Sequence, residues 1–250
     1  MDLNIPETRQ AALARRLAGG HALGAAELAA EFGVSVDTVR RDIIALERAG
    51  RARRVRGGAV PVARAAGPVQ QRLGADPDLA RIAAAALPRL KDCRTLLLDG
   101  GASVQAVAER LPQRPDLLVI TPSPFVAIAC QRRGIAVHML GGRLSPRGGV
   151  NTGQDALAEA GDIAAEIAVL GACGLEPGFG LSSDDPGESR LKRAMAGAAA
   201  QVMVVTAAAK LGRRARHRTL PAGAIDLLVT DADAAAAASL AAAGIEVIHA

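Results

Sequence analysis

The 250-residue sequence has no Trp and no Tyr, and its three Phe bring aromatics to 1% of the chain. Binders of single-stranded nucleic acid stack bases on aromatic faces, RRM-type sheets do the same, and cages for quaternary ammonium groups are built from rings. The composition argues against all three. It also lacks the interfacial Trp and Tyr of membrane proteins, and no run reaches the ~18 apolar residues that span a bilayer. The Ala-rich stretches 83–86 and 234–238 are short and lie among charges. Cysteine is scarce: Cys93, Cys130 and Cys173 are odd in number, far apart and without CxxC spacing. That supports neither a disulfide framework nor a metal site, and buried thiols are expected. Residues 1–6 show no basic n-region or apolar h-region, so a cytoplasmic protein is expected, with no membrane partner. Lys is nearly absent (Lys91, Lys192, Lys210) beside abundant Arg, Ala and Gly, a bias that carries no functional weight. What is plentiful is aliphatic. Hydrophobic residues make up 50% of the chain, mainly Ala, Val and Leu, and the length suits one large or two small domains.

The net charge of +5 is unevenly spread. Residues 1–64 carry eleven Arg against seven Asp or Glu, whereas residues 65–250 carry nineteen basic groups against eighteen acidic ones. Residues 34–58 hold Arg40, Arg41, Arg48, Arg51, Arg53, Arg54 and Arg56 against Asp37, Asp42 and Glu47. Such a cluster suits a polyanion or a solvated basic surface, and charge alone does not choose between them. Local pattern does. Asn4, Pro6 and Glu7 form a capping box opening a helix to about Ala18, stopped by Gly19 and Gly20. A short helix over 25–32 ends at Gly33, and Ser35 caps a third helix running to Ala49, before Gly50. In that third helix Val36, Val39, Ile43 and Leu46 form one apolar stripe, while Thr38, Arg41, Ala45 and Arg48 occupy another side, flanked by Asp37 and Arg40. A short helix, a glycine turn and an Arg-faced helix read as a helix-turn-helix. The run Arg51, Arg53, Arg54, Val55, then Arg56, Gly57 and Gly58, reads as a hairpin forming a basic wing.

The residues Glu27-Leu28-Ala29, Phe32-Gly33-Val34-Ser35, Thr38-Val39-Arg40-Arg41-Asp42-Ile43, Leu46-Glu47, Gly50 and Arg56-Gly57-Gly58-Ala59 closely resemble the DNA-binding domain of DeoR-type (DeoR/GlpR) bacterial transcriptional repressors. One departure is Arg56, where the family usually has His. The resemblance implies a double-stranded DNA operator as partner. Thr38 and Arg41 are then expected at base edges, and Arg40, Arg48, Arg53, Arg54 and Arg56 at phosphates. Ser35, Asp37 and Gly57 complete the DNA-binding set.

Residues 61–76 read as an Ala-, Arg- and Gly-rich linker between a domain at 1–60 and a second at 77–250. Beyond it, apolar runs at 95–98, 117–120, 135–140, 167–170, 202–206, 227–230 and 246–248 alternate with helical patterns. That is the signature of a largely parallel, doubly wound α/β sheet. Such sheets bind ligands at the carboxyl ends of their strands, where Asp99, Gly100, Gly101, Ala102 and Ser103 follow the first run. The loops, in order, resemble the DeoR effector domain, which is similar in fold to ribose-5-phosphate isomerase and is associated with phosphorylated sugars. The family's phosphate loop maps onto residues 99–103, its Leu-Gly-Gly onto residues 140–142, its Glu-Ala-x-x-Lys-Arg-Ala onto residues 188–194, and its Ser-Ser-Lys ends at Lys210. By that resemblance Gly100, Gly101, Ala102 and Ser103 hold a phosphate, Lys210 adds charge, and Asp99 meets a sugar hydroxyl. Thr121, Gly142, Glu188 and Lys192 complete the effector site.

Departures from the family cluster in this domain. Its TNS reads Thr121-Pro122-Ser123, its GADG reads Gly171-Ala172-Cys173-Gly174, its DSSK reads Ala207-Ala208-Ala209-Lys210, and Ala102 replaces a hydroxyl. Hydroxyl specificity depends on such polar groups. The expected effector is therefore a small phosphorylated metabolite less hydroxylated than the usual sugar phosphate, or else the sensor is weakened. The expectation overall is a regulator, most simply a repressor, of a carbohydrate-related operon, acting as a homo-oligomer (dimer or tetramer). No cofactor, metal or catalytic residue is expected. Two alternatives stand beside it: an isomerase-like enzyme, and a DNA-binding regulator whose pocket no longer binds sugar phosphates. The enzyme needs a positioned acid–base pair, and Cys173 stands where a carboxylate is wanted. Asp184, Asp185 and Glu188 read as solvated loop and helix N-terminal charges.

Overall fold

A computed structural model describes residues 5–18, 23–49, 52–61 and 77–250. Asn4, Gly19, Gly20, Gly50, Arg51 and the expected linker from residue 62 onward lie outside the described residues. The chain divides into two compact units, Met1–Arg64 and Ala65–Ala250.

In the first unit, α1 (Pro6–Ala18), α2 (Ala25–Phe32) and α3 (Val36–Arg48) pack their apolar stripes together. Leu13, Leu17, Leu28, Phe32, Val39, Ile43 and Leu46 are buried, so α3 turns inward the face its periodicity predicts. Asp42 also turns inward. It pairs with buried Arg9 and accepts from Gln10 Nε2 at 3.0 Å, so it does not offset the surface arginines. The wing consists of β2 (Ala52–Val55) and β3 (Gly58–Pro61), joined through Arg56 and Gly57. A third strand, β1 (Leu23–Gly24), pairs with β3, giving the order β1-β3-β2 where the sequence shows only a hairpin. Two residues are too short to display a period. Gly58 makes that pairing possible, because a Cβ there would stand 1.7 Å from the Leu23 carbonyl oxygen.

In the second unit the seven predicted runs are the seven strands of one parallel sheet. These are β4 (Thr95–Leu98), β5 (Leu118–Thr121), β6 (Ala136–Met139), β9 (Ala165–Gly171), β12 (Ala199–Val205), β14 (Leu227–Thr230) and β15 (Glu246–His249). Their order is β15-β14-β12-β9-β4-β5-β6. Both faces of the inner strands are covered, which is why those strands read as apolar runs, while the edge strands β6 and β15 are largely exposed. Leu96 and Leu98 face α4 (Pro77–Leu90), α5 (Ala102–Ala108) and α6 (Pro124–Arg132). Leu97 faces the other side with α7 (Gln154–Gly161), α8 (Pro186–Gly197) and α9 (Ala234–Ala241). Among the described residues this core is aliphatic, as the composition requires.

The chain winds outward from β4 through β5 to β6. It then crosses through a small hairpin, β7 (Arg143–Leu144) and β8 (Asn151–Thr152), and α7 to β9 on the opposite side of β4. The strand order therefore reverses between β4 and β9, and the loops leaving those two strands open a crevice at their carboxyl ends. A separate antiparallel sheet of β10 (Gly174–Glu176), β11 (Gly180–Ser183) and β13 (His217–Leu220) follows β9 and was not visible in the sequence pattern.

Candidate functional site

The first unit gathers its polar residues around α3. Ser35 Oγ accepts from the Thr38 backbone N–H at 3.1 Å and lies 2.8 Å from Thr38 Oγ1, fixing the first helical turn. Arg41 pairs with Asp37 at 2.8 Å, both well exposed. Arg40, Arg48 and Arg56 are exposed and have no acidic partner among the described residues. Arg54 is different. Its backbone N–H and its Nε donate to the two Glu47 oxygens at 3.0 and 2.5 Å, clamping the wing to the last turn of α3. The Arg54 backbone N–H, seconded by the guanidinium, holds the Glu47 carboxyl below its usual range. The Gly57 carbonyl accepts from Ala25 N at 2.8 Å, tying the wing turn to the start of α2. A groove of about 450 Å³ runs between α3 and the wing, lined by Asp37, Arg40, Arg41, Arg54, Arg56 and Gly57. Such a groove offers guanidinium groups to both phosphates and guanine edges. Ser35, Thr38 and Arg48 sit at the ends of α3 rather than in the groove lining, and of Arg53 only the backbone, paired with Val60, is described. Arg54, expected purely as a phosphate contact, has a carboxylate already beside it.

In the second unit one ion pair ties three elements together at the crevice. Asp99, just past β4, pairs with Lys192 of α8, and its Oδ2 accepts from the Gly171 N–H at 3.0 Å. Lys192 Nζ also donates to the Gly171 carbonyl at 3.1 Å. Both side chains are buried. Gly100 is required by its cover, because a Cβ there would stand 2.2 Å from Val150 Cγ1. The turn between β7 and β8 lies across the site and is fastened by Ser145 Oγ donating to Glu188 Oε1 at 3.1 Å. The resulting cavity is about 40 Å³, lined in part by Gly101, Ala102, Ser103, Cys173, Glu188 and Lys210. It has room for a few waters or for a phosphoryl group.

Eight of the ten effector residues expected from sequence converge here: Asp99, Gly100, Gly101, Ala102, Ser103, Glu188, Lys192 and Lys210. Thr121 and Gly142 do not. Thr121 is buried with its Oγ1 accepting from Ser123 N at 3.1 Å, and Gly142 is exposed, packed against the Thr152 carbonyl. Asp99, expected to meet a sugar hydroxyl, is instead paired with Lys192. Gly148 and Val150 were missed because two-residue strands carry no sequence signal, while Gly171, Ala172 and Cys173, in a loop already noted as departing from the family, also line the cavity. Burial pushes the Cys173 thiol up, so it is protonated at neutral pH.

Comparison with known proteins bears on both sites. The DeoR C terminal sensor domain matches residues 79–232, and the DeoR-like helix-turn-helix domain matches residues 9–64. The chain belongs to the DeoR family. It is a DNA-binding transcriptional regulator of that family, with an N-terminal helix-turn-helix domain and a C-terminal sensor domain. It is 28% identical to the HTH-type transcriptional regulator GlpR of Haloferax volcanii, over 98% of each chain. It is 29% identical to the glycerol-3-phosphate regulon repressor of Escherichia coli, over 82% of this chain and 83% of that one. The putative aga operon transcriptional repressor of Escherichia coli O157:H7 is 28% identical over 89% of this chain and 86% of that one. Ribose 5-phosphate isomerase A from Neisseria gonorrhoeae overlaps 54% of each chain with a TM-score of 0.40 and 16% identity. Among the described residues no helix of this DeoR-family chain is long and apolar enough to cross a membrane.

Proposed function

We propose that this DeoR-family regulator represses a carbohydrate-related operon and leaves its operator when a compact phosphorylated metabolite occupies the sensor pocket. Thr38 and Arg41 read base edges, Arg40, Arg48, Arg53 and Arg56 hold phosphates, and Arg54 positions the wing through Glu47. A homo-oligomer, dimer or tetramer, presents paired helix-turn-helix modules to successive major grooves in the cytoplasm. The observation that carries the ligand reading is the phosphoryl-sized cavity at the strand-order reversal, where residues 99–103 meet Lys192 and Lys210. The names of the relatives, a glycerol-3-phosphate regulon repressor among them, support the same ligand class. The site is read as a sensor and not a catalyst: Asp99 is neutralised by Lys192, and the Cys173 thiol is protonated.

Fluorescence anisotropy on the DNA upstream of the gene, titrated with glycerol 3-phosphate and with pentose and hexose phosphates, tests the reading. Release by the three-carbon phosphate alone is expected. Micromolar release by a pentose or hexose phosphate overturns the hydroxyl-poor assignment. A second reading, a regulator whose pocket no longer binds sugar phosphates, is favoured by Ala102, Pro122, Cys173 and residues 207–209 replacing polar groups. Operator binding unmoved by every phosphate selects it.

A further inference from the structure

The second unit carries a run of positive charge that the sensor pocket does not use. Between Lys210 and Arg218 stand Lys210, Arg213, Arg214, Arg216, His217 and Arg218, with no acidic residue among them. Leaving out the five Lys and Arg of this run, residues 65–250 hold fourteen basic groups against eighteen acidic ones, so positive charge is segregated onto it. Its arrangement is ordered. Exposed Arg214, Arg216 and Arg218 alternate with buried Ala215, half-buried His217 and buried Thr219, and the chain bends at Arg216 as it enters β13. The backbone beneath is fixed: Ala215 N donates to Ser182 Oγ at 2.8 Å, and β13 pairs with β11. Arg214 is steadied by Glu176 at 2.8 Å and lies over the Phe179 ring at 5.3 Å. Arg216 and Arg218 are exposed, and no acidic partner stands beside them among the described residues.

We propose that this strip is a second, sequence-independent contact for duplex DNA, made by the sensor domain to the phosphodiester backbone. Geometry favours a linear polyanion over a small one. A single phosphate needs donors that converge, as in the sensor pocket, whereas these exposed arginines are spread along the run from Lys210 to Arg218.

The test measures binding of the full-length chain to a random-sequence duplex several helical turns long, across a salt series. Each phosphate contact adds about 0.9 to the slope of log affinity against log salt. The variant Arg216→Gln/Arg218→Gln is expected to lower that slope by about two, and Arg216→Glu/Arg218→Glu to lower affinity further. Arg40→Gln/Arg56→Gln serves as the comparison within the helix-turn-helix domain, and circular dichroism confirms that each variant is folded. If the Arg40 and Arg56 pair lowers the slope and the strip pair leaves slope and affinity at wild-type values, the proposal is overturned while the DNA-reading assignment stands. If neither pair changes the slope, both fail. Equal loss on vesicles of anionic lipid, with no change on DNA, assigns the strip to a membrane surface and also overturns it.

Discussion

Asp42 shows how one residue divides the structural from the functional charge of the reading helix. The neighbouring arginines Arg40 and Arg41 reach solvent, while Asp42 is 3% exposed and is held by Arg9 and Gln10. Replacing it by Ala removes the carboxylate that balances the buried Arg9 guanidinium, which costs about 3–5 kcal/mol. Urea unfolding of Asp42→Ala should show that loss, and DNA affinity should fall only as far as the folded fraction does. Arg41 and Arg56 are exposed, so their removal acts on DNA and not on folding. Arg41→Ala should lose about 1–3 kcal/mol on a cognate site and relax discrimination at one base pair. Arg56→Ala should weaken all sequences alike and lower the salt slope by about one. Gel shifts at varied salt separate the two, and equal behaviour of both variants rejects the assignment. Arg54→Ala should change the slope by less than Arg56→Ala, because Glu47 already compensates its charge.

At the scale of elements, the wing depends on a contact that no sequence period announces. Gly58 lies directly against the Leu23 carbonyl, so Gly58→Ala forces β1 off β3. The Leu23 and Ala59 side chains join this unit's core, but most of it is built by the three helices, around Leu13, Ile43 and Leu46. Gly58→Ala should therefore weaken DNA binding while circular dichroism retains the helical signal, and parallel loss of both would place Gly58 in the core. This glycine also marks where sequence reasoning stops. Strands buried on both faces, such as β4, advertise themselves as apolar runs, and the inner strands of the main sheet were legible for that reason, whereas the edge strands β6 and β15 are largely exposed. The α3 stripe was legible because 3.6-residue periodicity over thirteen residues is a long signal. β1, β7 and β8 are two residues each, and their existence depends on what packs against them. The same limit hid Val150 and Gly148 from the pocket, since they reach it only through that hairpin. Pairings such as Arg54 with Glu47 and Asp99 with Lys192 were equally invisible, because composition shows the charges and not their partners.

At the scale of the molecule, regulation requires that ligand and DNA disfavour each other by one shared free energy. If a phosphorylated ligand lowers operator affinity by some factor, operator DNA must lower ligand affinity by the same factor. In the proposed sensor the two lysines of the pocket are expected to take different parts. Lys192 is buried and binds Asp99 and the Gly171 carbonyl, joining the ends of β4 and β9 to α8. Removing it strands a carboxylate that is 2% exposed, so Lys192→Ala should destabilise the sensor domain by about 3–5 kcal/mol. Lys210 is only half-buried and stands on the 3-10 turn Ala208–Lys210 at the cavity wall, so its removal should leave the fold standing. Lys210→Ala is expected to bind operator as the wild type does and to ignore ligand that releases the wild type. The measurement is anisotropy on operator DNA with and without ligand, beside a thermal melt of each variant. A Lys210→Ala protein that still releases on ligand removes Lys210 from the site. One that melts with Lys192→Ala makes it part of the same structural clamp, and the pocket's ligand-facing charge must then come from the backbone of residues 100–103.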